Sequence, residues 1–93
     1  MVLVTGLERI RPNPVLRTAM VRYDLARGAS VDLALYDAAG RRAATLATGR
    51  HEAGRYHAQV SGHDLGQGVY FCRLTVQDGV GSQRFVRKVQ VVR

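Results

Sequence analysis

The sequence contains no tryptophan and a single cysteine, Cys72, and only 6% of its residues are aromatic. One cysteine excludes an internal disulfide, so the fold has to be stable without one. The pattern of two cysteines and a tryptophan that marks antibody-type domains is excluded as well. Because 46% of the residues are hydrophobic, the core has to consist mainly of valine, leucine and alanine, with a few tyrosine and phenylalanine side chains.

Long apolar runs are also missing. None approaches the roughly 20 residues that a membrane-spanning helix needs, so we expect no transmembrane segment. The first four residues are too short for the apolar part of a secretory signal peptide, and Glu8, Arg9 and Arg11 follow closely. If the protein is exported, we expect the signal elsewhere, and Met1 is then interpreted as the start of a fragment of a longer protein.

Acidic residues are scarce, since seven Asp and Glu stand against 14 Lys and Arg, a formal net charge of +7. Such an excess favours nucleic acid or an anionic surface as a partner. The arginines are scattered, however, which is typical of a solvated surface, and we expect no specific nucleic-acid binding. A basic oligonucleotide-binding β-barrel stays an alternative. It needs aromatic side chains among basic ones on an open strand face, and only Phe71 and Arg73 suggest that.

Candidates for catalysis or metal binding are few. His51, His57 and His63 are spaced by six residues, but metal sites usually need closer partners such as cysteine or carboxylate. Cys72 alternates with apolar residues, and a buried cysteine behaves as a small hydrophobic side chain rather than a nucleophile. The sequence therefore predicts no catalytic, cofactor-binding or metal-binding residue and no enzyme activity.

The chain is organised around residues 30–46, which predict a β-hairpin. Val31, Leu33 and Leu35 occupy alternate positions, and a period of two places them on one face of a strand. Residues 37–40, Asp-Ala-Ala-Gly, are typical of a tight turn, because Asp bonds to its own backbone and Gly accepts a positive φ. The return strand is expected to begin at Arg41.

The same alternation predicts strands over residues 18–25, 55–60, 69–76 and 83–92, with a weaker candidate over 2–10. Turn-forming residues separate them, including loops over 48–54 and 61–68. Arg87 falls out of the alternation, which suggests a bulge. No segment carries a helical period.

About seven short strands indicate an all-β fold, a small immunoglobulin-like antiparallel β-sandwich. We expect residues 1–10 to form an N-terminal edge strand or the remnant of a linker, and residues 11–93 to form the sandwich. The predicted core residues share the inward faces of their strands: Val31, Leu33, Leu35, Tyr56, Val60, Tyr70, Cys72 and Leu74.

Six short motifs occur in an order that resembles a known family. They are Arg-Pro-Asn-Pro at 11–14, Val-Arg-Tyr-Asp-Leu at 21–25, Leu-Tyr-Asp-Ala-Ala-Gly-Arg-Arg at 35–42, Gly-Arg-Tyr-His at 54–57, Asp-Leu-Gly-Gln-Gly-Val-Tyr-Phe at 64–71, and Arg-Lys-Val-Gln-Val-Val-Arg at 87–93. This order resembles the C-terminal sorting domains of the type IX (Por) secretion system. It is equally similar to the related immunoglobulin-like domain of flagellar hook-capping proteins.

The resemblance implies a non-catalytic, cofactor-free sandwich of seven strands at the C-terminus of a larger exported protein. It implies recognition by the outer-membrane secretion translocon and handling by sortase-like machinery, with the parent cargo protein N-terminal to the domain. Export would pass through the periplasm to the cell surface or the medium. The residues that the family motifs assign to sorting and recognition lie at the start of one strand and in the last strand: Gly68, Val69, Tyr70, Lys88, Val89, Val91, Val92 and Arg93.

A structural or adhesion module of a surface or flagellar protein is the main alternative, because the same architecture could serve there without being recognised by a translocon. The two roles differ in position, since a sorting domain has to end its protein and an internal module does not. The sequence ends at Arg93, directly after an apolar strand, and we therefore expect the sorting role.

Overall fold

A computed structural model describes residues 3–92 of the chain. Within this range the chain forms seven strands and no helix; the strands are β1 Gly6–Leu7, β2 Thr18–Leu25, β3 Ala29–Asp37, β4 Arg42–His51, β5 Gly54–Ser61, β6 Gly68–Gln77 and β7 Ser82–Val91. Sheet A has the order β1-β2-β5, and sheet B has the order β4-β3-β6-β7. All these pairs are antiparallel. The predicted all-β, immunoglobulin-like sandwich is confirmed.

The two sheets enclose one apolar core. In β2 the alternate residues Ala19, Val21, Tyr23 and Leu25 are buried, as a period of two predicts. Each fully buried large apolar side chain stabilises the fold by about 1.5–3 kcal/mol relative to exposure. Seven of the eight predicted core residues are buried, while Tyr56 is partly exposed and packs against the core.

The predicted turn over residues 37–40 forms, and a second turn that begins with an aspartate connects β6 to β7. Asp37 Oδ1 accepts a hydrogen bond from the backbone N–H of Arg41 at 2.9 Å, and Gly40 has a φ of +84°. Asp78 Oδ1 accepts one from the backbone N–H of Val80 at 2.9 Å. These backbone donors lower the pKa of both carboxyl groups, because they favour the charged form.

The predicted loop over 48–54 is wrong in its first half. β4 continues to His51 and stays paired with β3, although Gly49 within it has a φ of +100°. Pairing along the nine-residue β3 overrides the local turn signal.

The predicted bulge at Arg87 is also wrong. β6 and β7 pair without interruption, with Arg87 opposite Cys72. The register shifts lie instead between β3 and β4, at the edge of sheet B. Arg87 keeps an inward position because β7 is an edge strand, where a long side chain can reach the margin of the core.

The N-terminal segment continues sheet A beyond β1. Arg11 and Met20 exchange two backbone hydrogen bonds, at 3.2 and 2.7 Å. Leu7 and Ile10 are buried in the core. Of the strand expected over residues 2–10, only Gly6–Leu7 is regular, and residue 2 lies outside the described range. No helix in residues 3–92 is of a length and apolarity that would cross a membrane.

Candidate recognition site on the terminal strand

The residues predicted for recognition meet at one end of sheet B. β6 and β7 are antiparallel neighbours, and their register places Gly68 opposite Val91 and Tyr70 opposite Val89. Two stretches that are distant in sequence thereby form one strip, here called the terminal-strand site: Gly68, Val69, Tyr70, Lys88, Val89, Val91 and Val92. Arg93, the remaining predicted residue, lies outside the described residues.

The terminal-strand site has an inner and an outer face. Tyr70, Val89 and Val91 are buried in the core, whereas Lys88 is exposed. The Tyr70 hydroxyl donates a hydrogen bond to the backbone oxygen of Gly66 at 2.7 Å, which satisfies the polar end of a buried ring. The inner side chains therefore anchor the strand, and the outer face is the part that a partner can contact.

A short segment, residues 13–15, covers the outer edge of β7. The Asn13 side chain donates from Nδ2 to the backbone oxygen of Lys88 at 3.0 Å, and its Oδ1 accepts from the N–H of Gln90 at 2.9 Å. The N–H of Val15 donates to the oxygen of Gln90 at 2.7 Å, and the N–H of Val92 donates to the oxygen of Val15 at 3.0 Å. Residues 13–15, here called the strap, thus satisfy edge groups that would otherwise be open to another strand.

Sequence reasoning did not find the strap. Asn13 stands between two prolines, and Pro has no backbone N–H to donate. A side-chain amide carries both donors and an acceptor, so it can supply what these prolines cannot. An asparagine between two prolines indicates a side chain that bonds to backbone groups. It does not indicate which strand supplies those groups, because β7 lies far along the chain.

Arg87 shows a second feature that the sequence did not reveal. Its Nε is buried without a hydrogen-bond partner, while Nη1 donates to the backbone oxygen of Val86 at 3.1 Å. A buried, unpaired guanidinium nitrogen costs free energy. The inward-facing arginine at this position is the physical reason for the broken alternation in β7.

The residues considered for metal binding do not gather. His51 Nε2 lies 3.2 Å from the Tyr23 hydroxyl, and the His51 ring packs edge-on against Tyr56 with centroids 4.8 Å apart. His57 and His63 are exposed. Over residues 3–92 the structure contains no group of three or more His, Cys, Asp or Glu side chains that could hold a metal ion.

The Cys72 thiol is fully buried. Burial raises its pKa from 9.0 to about 12. The thiol therefore stays protonated at neutral pH, where only a thiolate would act as a nucleophile.

The chain is similar to a protein family and to part of a solved structure. The family described as "Secretion system C-terminal sorting domain" matches residues 9–88. One solved structure, described as "Crystal structure of dimeric latent PorU from Porphyromonas gingivalis", aligns with 96% of this chain at a TM-score of 0.65 and 20% sequence identity. This chain corresponds to only 10% of that PorU chain, so the likeness concerns the fold of one part. No curated protein matches the chain.

The family match covers the strap, the strands from β2 to β6 and most of β7. It supports the sorting half of the resemblance, and the hook-capping half stays a prediction. The separate sheets of three and four strands are not the five-stranded barrel of an oligonucleotide-binding fold. The chain therefore belongs to the family of secretion system C-terminal sorting domains.

Proposed function

We propose that the outer-membrane translocon of the type IX secretion system recognises the folded domain on the outer face of the terminal-strand site. Membership of the family makes this a non-catalytic sorting domain, whose cargo is exported to the cell surface or the medium. The observation that carries the proposal is the register of β6 and β7, which unites residues 68–70 with residues 88–91 in one strip.

Anchoring in the core supports this proposal. Val89 and Val91 are fully buried, and the alternate residues Lys88 and Gln90 are exposed. Side chains two positions apart on a strand are separated by about 6.8 Å. A partner therefore meets a side-chain pattern of fixed spacing, and such preorganisation reduces the entropy lost on binding.

The strap supports recognition by side chains rather than by backbone. A receptor that adds a strand to a sheet edge uses free N–H and C=O groups. Between Lys88 and Val92 the strap already bonds to four such groups. Strand addition there would first have to break those bonds, whereas the exposed side chains are available in the folded domain.

The parent cargo protein and the sortase-like machinery complete the proposed set of partners. Both come from the family resemblance, which places the cargo N-terminal to the domain and assigns its processing to that machinery. The terminal-strand site is proposed for the translocon alone.

Export of a reporter fused to the domain tests the proposal in a bacterium with this secretion system. Lys88→Gln is expected to reduce export while leaving stability almost unchanged, because an exposed charge contributes little to folding. Removal of residues 88–93 is expected to abolish both folding and export, since it deletes buried Val89 and Val91.

The matched control is Arg22→Gln, which removes one exposed positive charge from β2 in sheet A. It is expected to leave export unchanged. Retention in the periplasm of a reporter with the intact domain would show that the domain does not sort. Normal export of Lys88→Gln would instead show that recognition does not depend on the Lys88 charge.

A further inference from the structure

The outer face of sheet B gathers charges that are scattered in the sequence. The registers of β3, β6 and β7 place Tyr36, Phe71 and Lys88 side by side in one row. Arg73 and Val86 lie side by side in the next row. Arg42 of β4 extends the first row beyond Tyr36, and Arg84 of β7 lies in the row beyond Val86. The surface is here called the basic face and consists of Arg42, Phe71, Arg73, Arg84, Val86 and Lys88.

Tyr36 holds two guanidinium groups of the basic face in place. Its hydroxyl accepts hydrogen bonds from Arg73 Nη2 at 2.6 Å and from Arg42 Nη2 at 2.9 Å. The Cζ atom of Arg73 lies 4.1 Å from the centroid of the Tyr36 ring, a cation–π contact. Arg42 also donates to both carboxylate oxygens of Asp32, at 3.2 and 2.9 Å. These cations are therefore preorganised, and a partner loses less side-chain entropy on meeting them.

Two exposed apolar side chains lie among these cations. Phe71 is 38% exposed and Val86 is 46% exposed. Phe71 lies opposite Lys88, and Val86 lies opposite Arg73, so the apolar pair is diagonal on the sheet and bordered by positive charge. An apolar centre with a charged rim is the usual anatomy of a protein–protein contact.

The pattern favours carboxylates over nucleic acid. Binding of single strands relies on several aromatic faces for stacking, but Arg73 covers one side of Tyr36, which leaves Phe71 as the more open ring. Arginine suits the bidentate geometry of carboxylates and of phosphates alike, so the apolar neighbours of the cations have to distinguish the two partners. Phe71 and Val86 add the apolar contact that a polyanion alone would not use.

The size of the basic face indicates a short-lived encounter. Three rows over three strand spacings cover about 15 by 15 Å. That is well below the roughly 800 Å² that each partner buries in a stable complex. Charge complementarity on so small a surface mainly accelerates and orients association.

We infer that the basic face docks transiently on an acidic protein surface of the secretion machinery, which presents Asp and Glu side chains around an apolar contact. The inference rests on the proposed function, since Lys88 belongs to both surfaces, and it adds the chemistry of the partner. Four cationic residues lie on this face, and the Asp32 carboxylate, which pairs with Arg42, offsets one of these charges.

Site-specific photo-cross-linking in the secreting bacterium tests the inference. Val86→benzoylphenylalanine, in the full fusion, is expected to give an adduct with a protein that has an acidic surface. Gln59→benzoylphenylalanine, at an exposed position of β5 in sheet A, is the control and is expected to give none. When Arg84→Glu is combined with the cross-linker at position 86, the yield of the adduct is expected to fall about tenfold. Arg22→Glu in the same combination is expected to leave the yield unchanged.

Binding of the purified domain to synthetic peptides gives an independent test. One peptide alternates Glu with Leu, and the other, with the same charge, alternates Glu with Ser. The Leu peptide is expected to bind the domain more tightly than the Ser peptide, and Phe71→Ala is expected to remove that difference. Arg84→Glu is expected to weaken the binding of both peptides about tenfold. A single-stranded oligonucleotide that binds more tightly than both peptides would overturn the inference, as would an Arg84→Glu variant with unchanged binding.

The two experiments separate this inference from the proposed function. One outcome is that the fusion is exported while position 86 gives no protein adduct, or gives an adduct only with lipid or polysaccharide. In that case the docking role of the basic face is wrong, and the proposed sorting function is unaffected. If the unaltered fusion is not exported, the proposed function is wrong. The peptide measurement then tests by itself whether the basic face binds an acidic surface with apolar contacts.

Discussion

The side-chain oxygen of Asn13 accepts a hydrogen bond from the backbone N–H of Gln90 at 2.9 Å, although 77 positions separate the two residues in the chain. The same side chain donates to the oxygen of Lys88 at 3.0 Å. The Asn13 amide thus makes the two hydrogen bonds that a neighbouring strand would make, one to the oxygen of Lys88 and one to the N–H of Gln90. The beginning of the sandwich thereby closes the edge of its terminal strand.

Asn13→Ala removes both bonds of this amide. Each hydrogen bond contributes about 0.5–1.5 kcal/mol, so we expect the free energy of unfolding to fall by about 1–2 kcal/mol in urea titration. The backbone N–H of Gln90 should then exchange faster with deuterium, because it has lost its acceptor. Gln67→Ala, in an exposed loop, should change neither quantity. Unchanged exchange at Gln90 in Asn13→Ala would contradict the role of the strap.

Val91 and Val92 form a matched pair for testing how the last strand is anchored. Val91 is fully buried, and Val92 is half-buried. Val91→Ala should lower the free energy of unfolding by about 2–3 kcal/mol, because it removes two buried methyl groups and leaves a cavity. Val92→Ala should cost less than about 1 kcal/mol. Equal losses in chemical denaturation would show that the inner face of β7 is wrongly placed.

Cys72 should make the stability of the domain fall at alkaline pH. Its thiol pKa is raised by burial from 9.0 to about 12. Between these values the unfolded chain loses a proton that the folded chain keeps, so the free energy of unfolding decreases as pH rises from 9.0 towards about 12. Comparison of pH profiles for the unaltered domain and Cys72→Ala isolates this contribution, since other groups titrate equally in both.

Thiol labelling checks the same burial independently. The native domain should react slowly with a thiol reagent at neutral pH, and the denatured domain should react at the rate of a free cysteine. Rapid labelling of the native domain, or parallel pH profiles for the two variants, would show that the thiol is accessible.

Nucleic-acid binding should be weak and sensitive to salt. Despite the net charge of +7, Arg73 covers one side of Tyr36, which leaves little surface for base stacking. Nonspecific phosphate contacts lose affinity steeply with salt, so fluorescence anisotropy with a labelled oligonucleotide should show no binding by about 200 mM salt. Sequence-selective binding that persists at that salt concentration would contradict this expectation.

Local signals predicted local structure well in this chain. The strand over residues 18–25 has the predicted bounds, and Asp37 and Asp78 open the turns that their side chains favour. The loop expected over 48–54 failed because a long neighbouring strand holds residues 48–51 in register. Arg87 was misread because alternation cannot distinguish a bulge from a charged side chain at the margin of a core.

By itself, the sequence determined most of the inward-facing residues and the turn over residues 37–40, because alternation and turn chemistry act within a few residues. It also carried the motif order that resembles the family, and the family matches residues 9–88. Only the tertiary structure decided that Asn13 closes the edge of β7, that residues 68–70 lie beside residues 88–91, and that Arg42, Arg73 and Lys88 share one face. Strand order and register arise from contacts between distant segments, which no local period encodes.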